Sequence, residues 1–241
     1  MSYRTATITV VTTSDPWLYH FTHVDNLPGI IAEGLLSDSQ AGDACVQEAG
    51  NPSIKERRRD RPVPLPPGGV VADYVPFYFA PRSPMLSSIV NGQVHEYRSD
   101  QTHLIYLLTR MSTIIGRGLP WIATDRNAVL ATAKFADHLD QLSTHIDWEV
   151  IEAKYWANTA SDGSRRERRM AELIIHQTVP WEAFTHLAVC CETRKTEVEG
   201  MLSTSSHVPA VVVRDGWYFD VPRSCACKAS LERSAPRDCR T

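Results

Sequence analysis

Short apolar runs, separated by polar stretches rich in Pro, Gly, Asn and Asp, recur along the chain and predict strands. Trp17-Leu18-Tyr19-His20-Phe21 is the first. Asp25 stands where it could cap a short helix through Ile30-Ile31-Ala32, which Gly34 would end. Tyr74-Val75-Pro76-Phe77-Tyr78-Phe79 reads as another strand, with Phe77 and Phe79 on one face and Tyr78 on the other. Pro76 lacks an N–H, which argues for an edge strand or the first residues of one. Ser83 followed by Pro84 marks a helix start. Further strands are expected at 103–108, 120–124, 170–176, 185–191, 209–213 and 216–219, and helices at 126–139, 147–155 and 194–202. Many strands with helices interspersed but not alternating predict an α+β fold.

Residues 37–72 break the pattern. Few are apolar, and the stretch ends in Pro62-Val63-Pro64-Leu65-Pro66-Pro67-Gly68-Gly69. A connection this long is either a functional loop or a disordered one, and its proline-rich final third is expected to be stiff and extended. Residues 224–241 have the composition of a tail and are expected to be disordered, which leaves 1–223 as a single domain.

Composition narrows the class. With 241 residues, 43% hydrophobic and 22% charged, the chain can bury one core as a soluble globular protein. No apolar run approaches the roughly 18 residues of a spanning helix. A charged N-terminal region leading into an apolar run is also missing, so the reading is cytoplasmic, with no membrane partner. The six cysteines form no CxxC pair and have no histidine at finger-like spacing, so no metal site is expected. A formal charge of −3 makes no global case for nucleic acid. Local charge does: Lys55 to Arg61 carries five cations in seven residues, and Arg165 to Arg169 four in five. Such segregation either focuses a groove for phosphates or marks two solvated loops.

Two constellations carry chemistry. Glu172 opens the apolar run Glu172-Leu173-Ile174-Ile175, where a carboxylate is costly unless its charge is used. In the first strand His20 and Thr22 share a face, aiming a ring nitrogen and a hydroxyl at one ligand. A lone strand histidine is usually a core residue. The joint occurrence with an aromatic strand and a buried glutamate strengthens the functional reading.

At this point the chain resembles a family. Tyr19-His20-Phe21-Thr22-His23-Val24-Asp25-Asn26-Leu27, Glu56-Arg57-Arg58, Pro66-Pro67-Gly68-Gly69-Val70, Asp73 to Phe79, Pro81-Arg82-Ser83-Pro84-Met85-Leu86, Thr124-Asp125-Arg126 and Ala171-Glu172 are similar to the DarT family, in order across residues 17–219. DarT proteins are DNA ADP-ribosyltransferase toxins of bacterial toxin–antitoxin pairs. The resemblance implies an ADP-ribosyltransferase-like fold, a split mixed sheet with a central NAD cleft and flanking helices. It implies NAD contacts from His20, Phe21, Thr22, Gly29, Ser37 and Arg58, with Arg58 in an NAD-covering loop drawn from 38–60. Glu172 matches the catalytic glutamate. Arg82, Ser83, Pro84, Met85, Leu86 and Ser87 would face DNA with the loop before Glu172. Independently of the resemblance, the basic runs could track a single strand's backbone while Tyr78, Trp156 or Trp121 stacks a base.

The implied chemistry agrees with the residues. Cleaving nicotinamide from ribose builds positive charge at the ribose carbon, which a preoriented carboxylate stabilises. A thymine ring nitrogen hidden in a duplex points to single-stranded DNA as substrate. Arg58 is implicated in proton abstraction, although a guanidinium serves more readily to position pyrophosphate or base. Whether Arg58 or Glu172 takes the thymine proton stays open. Some relatives carry a histidine after Thr-Asp-Arg, where this chain has Asn127, which cannot shuttle protons near neutral pH. The implied partner is a DarG-like macrodomain antitoxin, and the protein is expected to be monomeric. The competing readings are another acceptor (guanine, RNA or protein) on the same fold, or a catalytically dead nucleic-acid-binding module.

Overall fold

The computed structural model describes residues 15–42 and 45–219; the expected tail at 224–241 lies outside the described residues. Ten strands are present: β1 (Trp17–His23), β2 (Leu35–Leu36), β3 (Tyr74–Tyr78), β4 (Leu104–Arg110), β5 (Trp121–Thr124), β6 (Phe135–Ala136), β7 (Glu172–His176), β8 (Thr178–Val179), β9 (His186–Val189) and β10 (Ala210–Val213). Eight form one sheet in the order β10-β9-β4-β1-β3-β7-β5-β6, with β2 and β8 paired separately. The β10–β9 pair is parallel and the rest are antiparallel, so the sheet is mixed.

Helices flank it: α1 (Leu27–Glu33), α2 (Asp38–Ala41), α3 (Pro52–Asp60), α4 (Pro84–Val90), α5 (Met111–Gly116), α6 (Leu142–His145), α7 (Trp148–Glu152), α8 (Arg165–Arg168) and α9 (Glu192–Leu202). The period-2 alternation sends Leu18, Phe77, Ile105, Leu107 and Leu173 to one face, under α1, α5 and α9. Tyr19, Phe21, Tyr78, Tyr106 and Leu108 go to the other, where Leu86 and Ile89 of α4 cover them. The predicted opposition of Phe77 and Tyr78 holds.

Pro76 corrects one expectation and explains the architecture. β3 lies inside the sheet, between β1 and β7, not at an edge. The Pro76 carbonyl accepts from His20 Nδ1 of β1 at 2.8 Å. A strand residue's N and C=O point to the same side, so the missing N–H also faces β1. There the ladder fails: β1 and β3 share a single register pair, Tyr19 with Tyr78, whereas β1 and β4 share seven. The sheet is split at its proline.

Other expectations change for local reasons. Residues 126–139 form no α-helix. Val129 N–H donates to Asn127 Oδ1 (3.1 Å), Lys134 N–H to Asp125 Oδ1 (2.9 Å) and the Thr124 hydroxyl to the Arg126 carbonyl (2.7 Å). These side-chain bonds offer the backbone turns in place of a helix. Residues 215–217 form a 3-10 turn rather than the strand expected at 216–219. The helix expected at 147–155 ends at Glu152. Asp25 does not cap α1; it lies in a preceding 3-10 turn, where His23 Nδ1 accepts its N–H. Gly34 ends α1 as expected, with φ +85°, and a Cβ there would stand 2.8 Å from the Val179 carbonyl. The proline-rich stretch is not extended: Gly68 N–H bonds the Leu65 carbonyl at 2.9 Å and Val63 N–H the Gly69 carbonyl at 2.9 Å, closing a hairpin-like loop. The first basic run is helix α3, which Asn51 caps and Pro52 starts.

Candidate active site

The split opens a cavity of about 380 Å³, lined by His20, Phe21 and Thr22 of β1, Gly29 of α1, Pro76 and Tyr78 at β3, Met85, Arg58, Asn127 and Glu172. Sequence reasoning placed most of these at one site, and the fold brings them together. His20 is fixed by its neighbour. A carbonyl only accepts, so the Pro76 contact puts the proton on Nδ1 and leaves Nε2 an acceptor. Burial lowers the His20 pKa, which keeps the ring neutral.

Glu172 is 1% exposed and sits at the cavity wall. Burial raises its pKa, opposed by Arg58 and by the Ala128 N–H. Arg58 Nη1 lies 3.6 Å from Glu172 Oε2, and Ala128 N–H donates to the same oxygen at 3.4 Å. Asn127 Nδ2 donates to Oε1 at 3.2 Å. That amide cannot be flipped, because its Oδ1 is already committed to the Val129 N–H. Three donors therefore hold the carboxylate from three directions.

Arg58 is no solvated cation. It is 5% exposed, gives Nη2 to the carbonyls of Val71 (3.3 Å) and Tyr74 (3.1 Å), and approaches Asp38 at 3.9 Å. The fold fixes it from α3 and the chain leading into β3. The segment from Gln47 to Asn51 closes one side of the cavity. Ser37, also expected at the site, flanks the cavity without lining it; its buried hydroxyl has no partner among the described residues.

The residues expected to face DNA divide. Ser83 is buried and caps α4 through the Leu86 N–H (3.2 Å), Pro84 is buried, and Leu86 is fully enclosed in the core. Their side chains hold the helix, which leaves Arg82, Met85 and Ser87 as reachable groups. Arg82 has a left-handed backbone, φ +55°, and its guanidinium lies 4.4 Å over the Phe219 ring. It has no ion-pair or hydrogen-bond acceptor for that guanidinium among the described residues. Gln101 grips both backbone groups of Phe219 and so holds the ring in place. Trp156 is half-buried beneath the Arg169 guanidinium at 6.0 Å, while neighbouring Tyr155 is 77% exposed. Trp121 packs on the core.

The second basic run is mostly spent on structure. Arg168 pairs with Asp147 (2.7 Å) and Asp162 (2.6 Å), and Arg169 is buried, donating to the Val150 and Pro81 carbonyls. Burial and nearby Arg82 lower the Arg169 pKa to about 10. Sequence reasoning missed the structural work of Asn26, Gln101 and Phe219, whose partners are distant in the chain. No helix among the described residues is long and apolar enough to cross a membrane.

The split mixed sheet sets a clamped, buried carboxylate, a neutral histidine and a hydroxyl around one cavity, and similarity to known proteins gives the class its name. The family described as "ssDNA thymidine ADP-ribosyltransferase, DarT" matches residues 19–219. A DNA ADP-ribosyl transferase from Thermus sp. (strain 2.9) is 38% identical, covering 84% of this chain and 95% of the relative. One from Mycobacterium tuberculosis is 36% identical, covering 84% and 89%. The solved Thermus sp. 2.9 DarT in complex with ADP-ribosylated ssDNA superposes with a TM-score of 0.81 at 36% identity, over 88% of this chain and 99% of that one. The same enzyme in complex with NAD+ gives 0.75, over 85% and 98%. The chain belongs to the DarT family of ssDNA thymidine ADP-ribosyltransferases.

Proposed function

We propose that this protein transfers ADP-ribose from NAD to a thymine of single-stranded DNA. The observation that carries the reading is the Glu172 carboxylate, held at the cavity wall by Arg58, Asn127 and the Ala128 N–H. Neutral His20 offers Nε2 as an acceptor for a ribose hydroxyl, and Thr22 adds a hydroxyl on the same face. As the bond between nicotinamide and ribose lengthens, charge at the ribose carbon becomes positive. Glu172, preorganised and in low dielectric, stabilises that charge more than it stabilises the ground state. The thymine nitrogen then forms the new bond to that carbon and gives up its proton, nicotinamide having left with the electron pair. Glu172 takes that proton directly, or Arg58 takes it while passing one of its own to Glu172, 3.6 Å away.

Arg82 is proposed to meet a DNA phosphate, since its cation is steered by Phe219 and otherwise uncommitted among the described residues. Arg82→Ala is expected to weaken single-strand binding and lower its salt dependence by about one phosphate contact. NAD affinity should be unaltered. Unchanged oligonucleotide binding would place the DNA elsewhere. Incubation with labelled NAD and matched single-stranded DNA, duplex DNA, RNA and protein tests the acceptor: label on single strands alone is expected, and label confined to RNA or protein refutes the reading. We further infer a cytoplasmic, monomeric toxin countered by a DarG-like macrodomain that removes the mark.

A further inference from the structure

We propose that Asn26 is a positioning residue that fastens the segment around Gln47 across the cavity and presents the Thr22 hydroxyl to NAD as a donor. The inference rests on the NAD reading above. Asn26 is 7% exposed, and both of its donor hydrogens and one acceptor position of its oxygen are committed. Oδ1 accepts the Gln47 N–H at 2.9 Å, and Nδ2 donates to the Gln47 carbonyl at 2.8 Å. One side chain thus pairs with a backbone residue as a neighbouring strand would. The second Nδ2 hydrogen goes to Thr22 Oγ1 at 2.9 Å.

The direction of that last bond is forced. Gln47 N–H can only donate, so Asn26 Oδ1 faces it and Nδ2 must be the group facing Thr22. Thr22 Oγ1 is therefore an acceptor there, and its own hydrogen remains available to a ligand. Thr22, Asn26 and Gln47 all line the cavity. A second tether acts on the same segment: Lys55 pairs with Glu48 and, at 3.1 Å, with Asp38. Those groups are part-exposed and screened by salt, whereas the Asn26 bonds are sheltered. Asn26 thus couples the floor of the cavity, at Thr22, to its covering segment.

Truncation to alanine should release the segment and let the Thr22 hydroxyl rotate. Asn26→Ala is expected to raise the Kd for NAD, by calorimetric titration, roughly tenfold. KM for NAD should rise in step while kcat at saturating NAD changes by less than about twofold, because binding and not the chemical step is weakened. Amide hydrogen exchange should accelerate across 45–50 and stay unchanged in β4, which separates release of the segment from misfolding. Asn26→Asp keeps the acceptor for the Gln47 N–H but sets a buried carboxylate oxygen against the Gln47 carbonyl and draws the Thr22 hydrogen onto itself, so it should bind NAD at least as weakly as Asn26→Ala. Thr22→Val and Asn26→Ala should be less than additive, since they remove one shared bond.

Wild-type protein that fails to bind NAD would overturn the functional reading. Wild-type protein that binds, with Asn26→Ala and Asn26→Asp binding equally well, would overturn only the role of Asn26. An additive double variant would break the proposed link to Thr22.

Discussion

Glu172→Ala is expected to lower ADP-ribose transfer to single-stranded DNA by at least about 10²–10³-fold, the cost of losing one preorganised charge-stabilising group. The fold should survive. Arg58 keeps the Val71 and Tyr74 carbonyls and its approach to Asp38, and the space vacated opens onto the cavity, so water can enter it. Glu172→Gln separates charge from shape. Both carboxylate oxygens face only donors, from Asn127, Ala128 and Arg58, so the glutamine amide would set its own donors against one of them. It should be nearly as inactive as alanine. Because burial raises the Glu172 pKa, the folded protein holds this proton to higher pH than the unfolded chain. Stability from this group therefore declines as pH rises through that window, and the cost is complete above the raised value. Neither variant should show that decline. Full transfer by Glu172→Gln would remove the carboxylate from the mechanism.

Arg58→Ala is the second large effect: transfer at neutral pH should fall by at least about tenfold. Arg58 is the chief group lowering the Glu172 pKa against burial, so its loss raises that pKa further. A carboxylate must be ionised to stabilise the ribosyl cation. Activity is lost as pH falls through its pKa, and in Arg58→Ala that acid limb should move to higher pH. A single-turnover pH profile reads the shift. Recovery of transfer on raising pH assigns Arg58 as the counter-charge of Glu172. A uniform loss at every pH points instead to direct work by Arg58 on the thymine proton.

Much of the cleft could be read from the chain. Alternation placed Phe77 and Tyr78 on opposite faces and His20 and Thr22 on one, because side chains in a strand have a strict period of two. The Ser83–Pro84 pair gave the start of α4, since capping is a local bond. Glu172 was visible as an expense in an apolar run. Pro76 was noticed but misplaced: its missing donor pointed to an edge strand or a strand's first residues, whereas the fold uses it in mid-strand to part the sheet from within. Arg58 sat in a run of cations whose sequence cannot say which one turns inward. That is settled by carbonyls 13 and 16 residues away. A helix was expected over 126–139, but Asp125 and Asn127 hold the backbone in turns. Asn26 and Asn127 were missed as clamps for the same reason as Arg58: an amide's partners are fixed by tertiary proximity, 21 and 45 residues along the chain.

The account turns on what Glu172 helps to make. Isotopically labelled NAD incubated with single-stranded oligonucleotides of varied sequence, followed by mass-spectrometric mapping of the adduct, reads this directly. One ADP-ribose on a thymine base, within a preferred short motif and missing from the Glu172→Ala reaction, is the predicted result. An adduct on another base, or equal labelling by Glu172→Ala, would contradict it.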